Sequence, residues 1–158
     1  KIRATELCAV LASGNVTRAR GSSLVNSGCQ NKEYIVELTG ITDAMVAGAP
    51  PFESVADAFR EFLGDAVFVA HRVKFDHDFL KAEFERIGQD FRGPTLCTVV
   101  SSRRHFPGLS SYGLSALCQT FEIPLESHHR ALCDARATAE LLKRINAKRL
   151  ALANSHHS

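Results

Sequence analysis

The chain lacks the features that sort a protein into a class at a glance. No apolar run in its 158 residues approaches the ~18 residues of a membrane-spanning helix, and no secretory signal opens it. The five cysteines, Cys8, Cys29, Cys97, Cys118 and Cys133, are odd in number and form no C-x-x-C pair. That argues against a disulfide framework and for free, mostly buried thiols in a reducing cytoplasm. Net charge is in short supply too: 19 Lys and Arg against 17 Asp and Glu leave a formal +2. Bulk electrostatics therefore gives no case for nucleic-acid binding, and any such case must come from a local site. Internal repeats and low-complexity stretches are missing. So is an initiator methionine: Lys1 runs straight into an apolar stretch, which predicts an excised or trimmed N-terminus.

What is present reads as one domain of ordinary composition, 45% hydrophobic and 23% charged. Residues 1–150 are expected to form it, with 151–158 as a frayed tail. Ile2–Leu11 and Val16–Val25 read as strands joined by Gly14-Asn15 turn chemistry, and the polar stretch 26–31 as a loop. Tyr34–Leu38 suggests a short helical turn ended by Thr39-Gly40, and Thr42 an N-cap for Asp43–Ala47. Phe52–Leu63 has its apolar residues at helical spacing and stops at Gly64. Ala66–Ala70 looks like a buried strand, followed by a helix over Phe75–Ile87 and a strand over Thr95–Val100 that passes into a helix to Arg104. His105–Ser111 reads as loop, Leu114–Phe121 as helix, and Arg130–Arg149 as the longest helix. A hairpin followed by alternating strands and helices implies an α/β fold with a mixed sheet.

Two clusters carry chemistry. In Val69-Ala70-His71-Arg72-Val73-Lys74-Phe75-Asp76 a strand ends and a helix begins, where open α/β sheets place their sites and where a helix N-terminus favours a carboxylate. In His128-His129-Arg130-Ala131-Leu132-Cys133-Asp134-Ala135, Asp134 falls in the first turns of the long helix and His129 on the loop that feeds it. An imidazole there is a plausible general base beside a metal ligand. Taken singly, each cluster has a plain reading as a helix cap with a surface histidine beside it. Together, two aspartates at helix starts suit a divalent metal with oxygen ligands. Phosphodiester cleavage commonly uses two metals about 3.5–4 Å apart, for which two aspartates are too few. Glu6, Asp57 and Glu61 read as structural or solvent-facing.

Further stretches resemble a known family. Glu37-Leu38-Thr39-Gly40-Ile41-Thr42, Met45-Val46 and Ala49-Pro50-Pro51-Phe52 resemble the segment after the first hairpin of DnaQ-like (DEDDh) 3′→5′ exonucleases. Val69-Ala70-His71 with Phe75-Asp76 and Phe79-Leu80 resembles their second motif. His129-Arg130-Ala131-Leu132 with Asp134-Ala135 and Ala137-Thr138-Ala139-Glu140-Leu141 resembles their third. Phe106-Pro107-Gly108, Leu114, Leu117-Cys118 and Ile123-Pro124-Leu125 fit between them, in order. The likeness covers nearly the whole chain and is nearest to bacterial DNA polymerase III epsilon-subunit-like proofreading enzymes.

The resemblance implies a ribonuclease-H-like α/β fold, a mixed sheet flanked by helices. It implies Mg²⁺- or Mn²⁺-dependent hydrolysis of a single-stranded DNA or RNA 3′ end, releasing nucleoside monophosphates, with a DNA polymerase subunit as a partner. Asp76 would be the second-motif metal carboxylate, Asp134 the third, and His129, rather than His128, the general base. Thr39, Gly40 and Ile41 would border the terminal nucleotide, with His71, Arg72 and Phe75 as further nucleic-acid contacts. Phe75, Phe79 and Phe84 otherwise read as core rather than base-stacking. Arg103, Arg104 and His105 read as a solvated helix end.

Two departures qualify the likeness. The family's Asp-x-Glu first motif lies on a central strand just before the hairpin; the sequence starts at the hairpin, so residues upstream are expected to carry it. Arg72 stands where relatives usually have a small amide, and reads as a rim residue. Two other readings compete. One is an inactive nuclease-like binding or interaction module. The other is an all-helical HD-type phosphohydrolase built on His71, His77-Asp78 and Asp134, which the expected strands at Val67 and Leu96 oppose.

Overall fold

The computed structural model describes residues 6–14, 16–29, 33–126 and 129–155. The start of the first expected strand, Asn15 of the turn, the end of the 26–31 loop, His128 and residues 156–158 lie outside the described residues. Strand β1 (Glu6–Ser13) pairs antiparallel with β2 (Val16–Leu24), Ser13 opposite Val16, so a two-residue loop joins them. Gly14 takes φ +59°, the left-handed backbone such a tight turn needs. The register shifts between Leu11 and Ala12, a bulge that bends the hairpin.

Two short helices follow, α1 (Glu33–Thr39) and α2 (Asp43–Ala47). The hydroxyl of Thr42 accepts from Met45 N at 3.3 Å, the N-cap that the sequence suggests. Helix α3 (Phe52–Leu63) ends at Gly64, whose N–H returns to Arg60 O at 3.0 Å. Strand β3 (Phe68–Ala70) leads through helix α4 (Val73–Arg86) to the parallel strand β4 (Thr95–Cys97), a βαβ crossover. Then come α5 (Thr98–His105), α6 (Leu114–Thr120) and α7 (Ala131–Ser155).

Several expected boundaries move. Helix α4 starts at Val73 rather than Phe75, because Arg72 adopts left-handed backbone and turns the chain directly into the helix. The β4 strand ends at Cys97, where Thr98 already opens α5, so the β-branched run Thr98-Val99-Val100 is helical; tertiary packing overrides its propensity. Helix α7 runs through 151–155, a stretch expected to fray. The two strand pairs form separate two-stranded sheets, one antiparallel and one parallel. The strands β3 and β4 exclude the all-helical alternative.

Two apolar clusters hold these elements together. One joins the hairpin exit to α3 and α4 through Val25, Phe52, Ala56, Phe59, Leu80, Phe84 and Phe91. Phe84 and Phe91 stack at 4.9 Å between centroids with 4° between planes, and Phe52 meets Phe84 edge-on at 5.1 Å, an arrangement favoured by the ring quadrupole. The other packs α6 on α7 through Leu117, Cys118, Ala137, Leu141 and Ile145. Each cluster fixes the body of one helix, α4 or α7, and leaves that helix's first turn to form a site.

Candidate active site

The first turn of α4 carries Asp76 and the first turn of α7 carries Asp134. The charge of Asp134 reaches Asp76. Burial, with a smaller push from the negative charge of Asp134, raises the pKa of Asp76 to about 6, against a lowering pull from its own backbone N–H. Asp134 is fixed by its own loop: Oδ2 accepts from the backbone N–H of His129 at 3.2 Å, and its N–H donates to Arg130 O at 3.0 Å. His129 itself has φ +72° and an exposed side chain. The left-handed residue turns its N–H toward Asp134 and its ring away from the core. The structure thus brings Asp76, Asp134 and His129 to adjoining helix starts.

A third carboxylate anchors the start of α7. Glu6 Oε1 accepts from Arg130 Nη2 at 3.2 Å, while Oε2 accepts from Arg130 Nε at 3.3 Å and from Ala131 N at 3.0 Å. The Glu6 side chain is only 11% exposed. It is structural, as expected, but it does not face solvent. It meets one of the orphan N–H groups at the α7 N-terminus and places a negative charge where the helix dipole favours it. A sequence signal existed: a charged residue at the head of a strand that otherwise reads Leu7-Cys8-Ala9-Val10-Leu11.

The turn after β3 is tied to the start of α5 and to the loop before α6. His71 Nδ1 lies 2.9 Å from Thr98 Oγ1, and Nε2 lies 2.9 Å from Tyr112 O. A carbonyl only accepts, so Nε2 carries a proton and donates. Both ring nitrogens are thus engaged inside the protein, and His71 serves as a joint between these segments. Cys97 sits at the same junction. Burial pushes its thiol up, but backbone N–H groups of Val100, Val73, Val99 and Arg72 more than offset this and lower its pKa. Four amides from the starts of α4 and α5 therefore converge on one sulfur.

The remaining expected contacts divide. Phe75 is 69% exposed, which corrects its reading as core; the first turn of α4 points it outward beside Asp76. Phe84 is fully buried as expected, and Phe79 is half-buried. Arg72 is exposed, with φ +68° and ψ +53°. Gly40 takes φ +71° and its N–H donates to Val36 O at 2.7 Å, closing α1. Thr39 Oγ1 accepts from Ile41 N at 3.2 Å. Ile41 is 1% exposed, so its side chain anchors this turn, with Thr39 half-buried and Gly40 exposed. Arg103 lies over the Tyr112 ring at 5.6 Å, and His105 Nδ1 is 2.8 Å from Ser101 O; this basic cluster is a helix end engaged with its own neighbours. Among the described residues, no group of three or more His, Cys, Asp or Glu is arranged to hold a metal ion.

A family model described as Exonuclease (RNase_T) matches residues 1–142. The chain belongs to this exonuclease family. Among its curated relatives, the DNA polymerase III subunit epsilon of Aquifex aeolicus is 39% identical over 146 residues, covering 92% of this chain and 72% of that protein. The PolC-type DNA polymerase III of Halalkalibacterium halodurans is 46% identical over 112 residues, covering 70% of this chain and 8% of that protein. The chain therefore spans a small part of the PolC-type relatives and most of the epsilon subunit. A solved structure of Exonuclease X in complex with 5′-overhanging duplex DNA matches with a TM-score of 0.75 at 29% identity, covering 90% of this chain and 82% of that one. The nuclease domain of 3′hExo, a DEDDh family member bound to rAMP, matches with a TM-score of 0.79 at 16% identity over 90% of this chain and 80% of that one. The fold of this family member is accordingly the ribonuclease-H-like α/β fold. Among its described residues, no helix is long and apolar enough to cross a membrane.

Proposed function

We propose that this exonuclease hydrolyses phosphodiester bonds from the 3′ end of a single-stranded nucleic acid, with Asp76 and Asp134 as metal carboxylates and His129 as general base. The supporting observation is the opposition of Asp76 and Asp134 across the starts of α4 and α7, close enough that Asp134 helps to raise the pKa of Asp76. Two like charges held together favour a divalent cation between them, and oxygen is the donor that Mg²⁺ and Mn²⁺ prefer. Mg²⁺ in particular is commonly held by one or two carboxylates, with water and substrate phosphate oxygens completing its shell. This donor set fits such an ion.

When bound, the ion would lower the pKa of a coordinated water and support charge on the leaving oxygen. The protein's own residues do the rest. Asp76 and Asp134 would hold the ion from two separately packed helices, so the site would be as rigid as the cores behind it. The exposed ring of His129 takes the proton from the attacking water. Phe75, beside Asp76, offers a face on which the terminal base stacks. Thr39 and Gly40 border that nucleotide, and Arg72 stands on the rim. The relatives include DNA polymerase III components, which supports a polymerase as partner. Five free cysteines support a reducing cytoplasmic setting. In this reading residues 1–150 belong to the exonuclease domain, whose Asp-x-Glu strand lies upstream of them.

A second reading, a nuclease-like module that binds without cleaving, draws support from the small ligand set among the described residues. One assay separates the two: digestion of a labelled single strand by the full-length protein with Mn²⁺ or Mg²⁺, compared with His129→Ala. Metal-dependent release of nucleoside monophosphates from the 3′ end, falling by ~10²–10⁴ in the variant, is expected for a lost general base. Full activity in His129→Ala would refute the assigned role, and binding with no turnover would favour the module.

A further inference from the structure

We infer that the C-terminal end of α7 is a second contact surface for the polynucleotide, gripping the phosphate backbone well away from the reacting end. This inference rests on the nuclease reading above and extends it.

The charge distribution is the first observation. Of the 19 Lys and Arg and 17 Asp and Glu, residues 141–158 hold four basic residues and no acidic one; residues 1–140 hold 15 and 17. The body thus carries a formal −2 and the end of the chain +4, so all of the protein's net positive charge sits in this one segment. Lys143 is paired with Glu140 at 2.6 Å. Among the described residues, no carboxylate is paired with Arg144, Lys148 or Arg149.

The path of the helix is the second. Ala137, Thr138, Leu141 and Ile145 form the buried stripe of α7. At 100° per residue, the same stripe continues through Lys148, Arg149 and Leu152, yet every residue from 147 to 155 is exposed. The helix therefore overhangs the body by nine residues, roughly 13 Å. Its stripe changes from apolar to basic where the body ends. Lys148 and Arg149 extend beyond Ile145 with no carboxylate among residues 141–158 to neutralise them.

The third is distance from the site. Asp134 and Lys148 are separated by fourteen residues or about 21 Å of helix, with the buried Ala137, Thr138, Leu141 and Ile145 between them, so a strand passes around that face and the helical distance is its minimum path. At the 3.4 Å per phosphate of a single strand in B-form, that is on the order of six phosphates. A strand whose 3′ end is held near Asp134 reaches the overhang only if it is longer than about that. Short strands would engage the active site alone, and long ones both surfaces.

The test is fluorescence-anisotropy binding of the full-length protein to a four-nucleotide and a twenty-nucleotide single strand, in chelator to prevent cleavage. The salt dependence is compared with that of R144Q/K148Q/R149Q. The long strand is expected to lose about 2 from the slope of log K against log salt, at ~0.7 per phosphate contact, with at least a tenfold weaker Kd at low salt. The short strand should bind the variant unchanged, and the charge-preserving R144K/K148R/R149K should keep the full slope. An unchanged slope on the long strand overturns the proposal. So does a loss of binding to phosphatidylserine vesicles with none to the oligonucleotide, which would assign the surface to lipid. If the wild type shows the length-dependent slope but cleaves neither strand with Mn²⁺, the surface stands and the nuclease reading falls. If both strands are cleaved and the slope is unmoved, the reverse holds.

Discussion

Glu6 on β1 accepts three hydrogen bonds from Arg130 and Ala131, clamping the start of α7 to the edge of the hairpin. His129 and Asp134 lie within five residues of that clamp, so the hairpin sets their position as well as its own.

Glu6→Ala removes the acceptor for a guanidinium and a helix N-terminal amide. Hydrogen bonds to charged groups contribute about 1.5–3 kcal/mol, and a loss of roughly 2 kcal/mol is expected in urea unfolding with the m-value unchanged. Activity should fall even under conditions where the variant is fully folded, because the first turn of α7 is freed. A variant with wild-type turnover would show that the clamp does not position the site.

The raised pKa of Asp76 makes stability depend on pH with a definite sign. Between its ordinary value of 3.8 and about 6, the folded state holds a proton that the unfolded state has released. The unfolding free energy of the metal-free protein therefore falls as pH rises through that window. Asp76→Asn should flatten the dependence and raise Tm above pH 7 by roughly 2–4 °C, as about 1 kcal/mol does in a domain of this size. Solvent on the open side of the carboxylate screens it and keeps the effect modest. Added Mn²⁺ should stabilise the wild type by mass action and leave the variant unmoved. Calorimetry across pH, with and without metal, reads both effects.

Arg72 is held at φ +68°, a region that costs a non-glycine residue roughly 1–2 kcal/mol and that asparagine tolerates better. Arg72→Asn should gain up to about 1 kcal/mol, seen as a higher urea midpoint at constant slope. A loss of stability would mean that the guanidinium makes a contact worth more than the strain.

Phe75 is exposed, so Phe75→Ala should change stability by no more than about 0.5 kcal/mol. If the ring stacks on a terminal base, single-strand binding should weaken by ~1–3 kcal/mol, with KM rising more than kcat falls. Unchanged binding would return Phe75 to the status of a chance surface aromatic.

The sequence made the helices legible wherever local rules governed them. Thr42 caps α2, Gly64 closes α3, and α3 itself has the expected bounds, because apolar spacing and turn chemistry act over a few residues. Asp76, Asp134 and His129 were legible as candidates because each sits at a helix start. The partners of these residues were not. Glu6 and Arg130 are 124 positions apart, and His71 reaches Thr98 and Tyr112, 27 and 41 positions away. No local pattern encodes such pairs. Phe75 was misread as core for a related reason. Helical spacing tells which residues share a face, but the left-handed turn at Arg72 decides where that face points.

The joint at His71 has one further property. Thr98 Oγ1 has two neighbours, the imidazole Nδ1 at 2.9 Å and Ala70 O at 3.4 Å. With Nε2 donating to Tyr112 O, Nδ1 is left to pair with the hydroxyl. One threonine side chain thus bridges the exit of β3 and the head of α5, a cross-link that reinforces the strand pairing of β3 with β4.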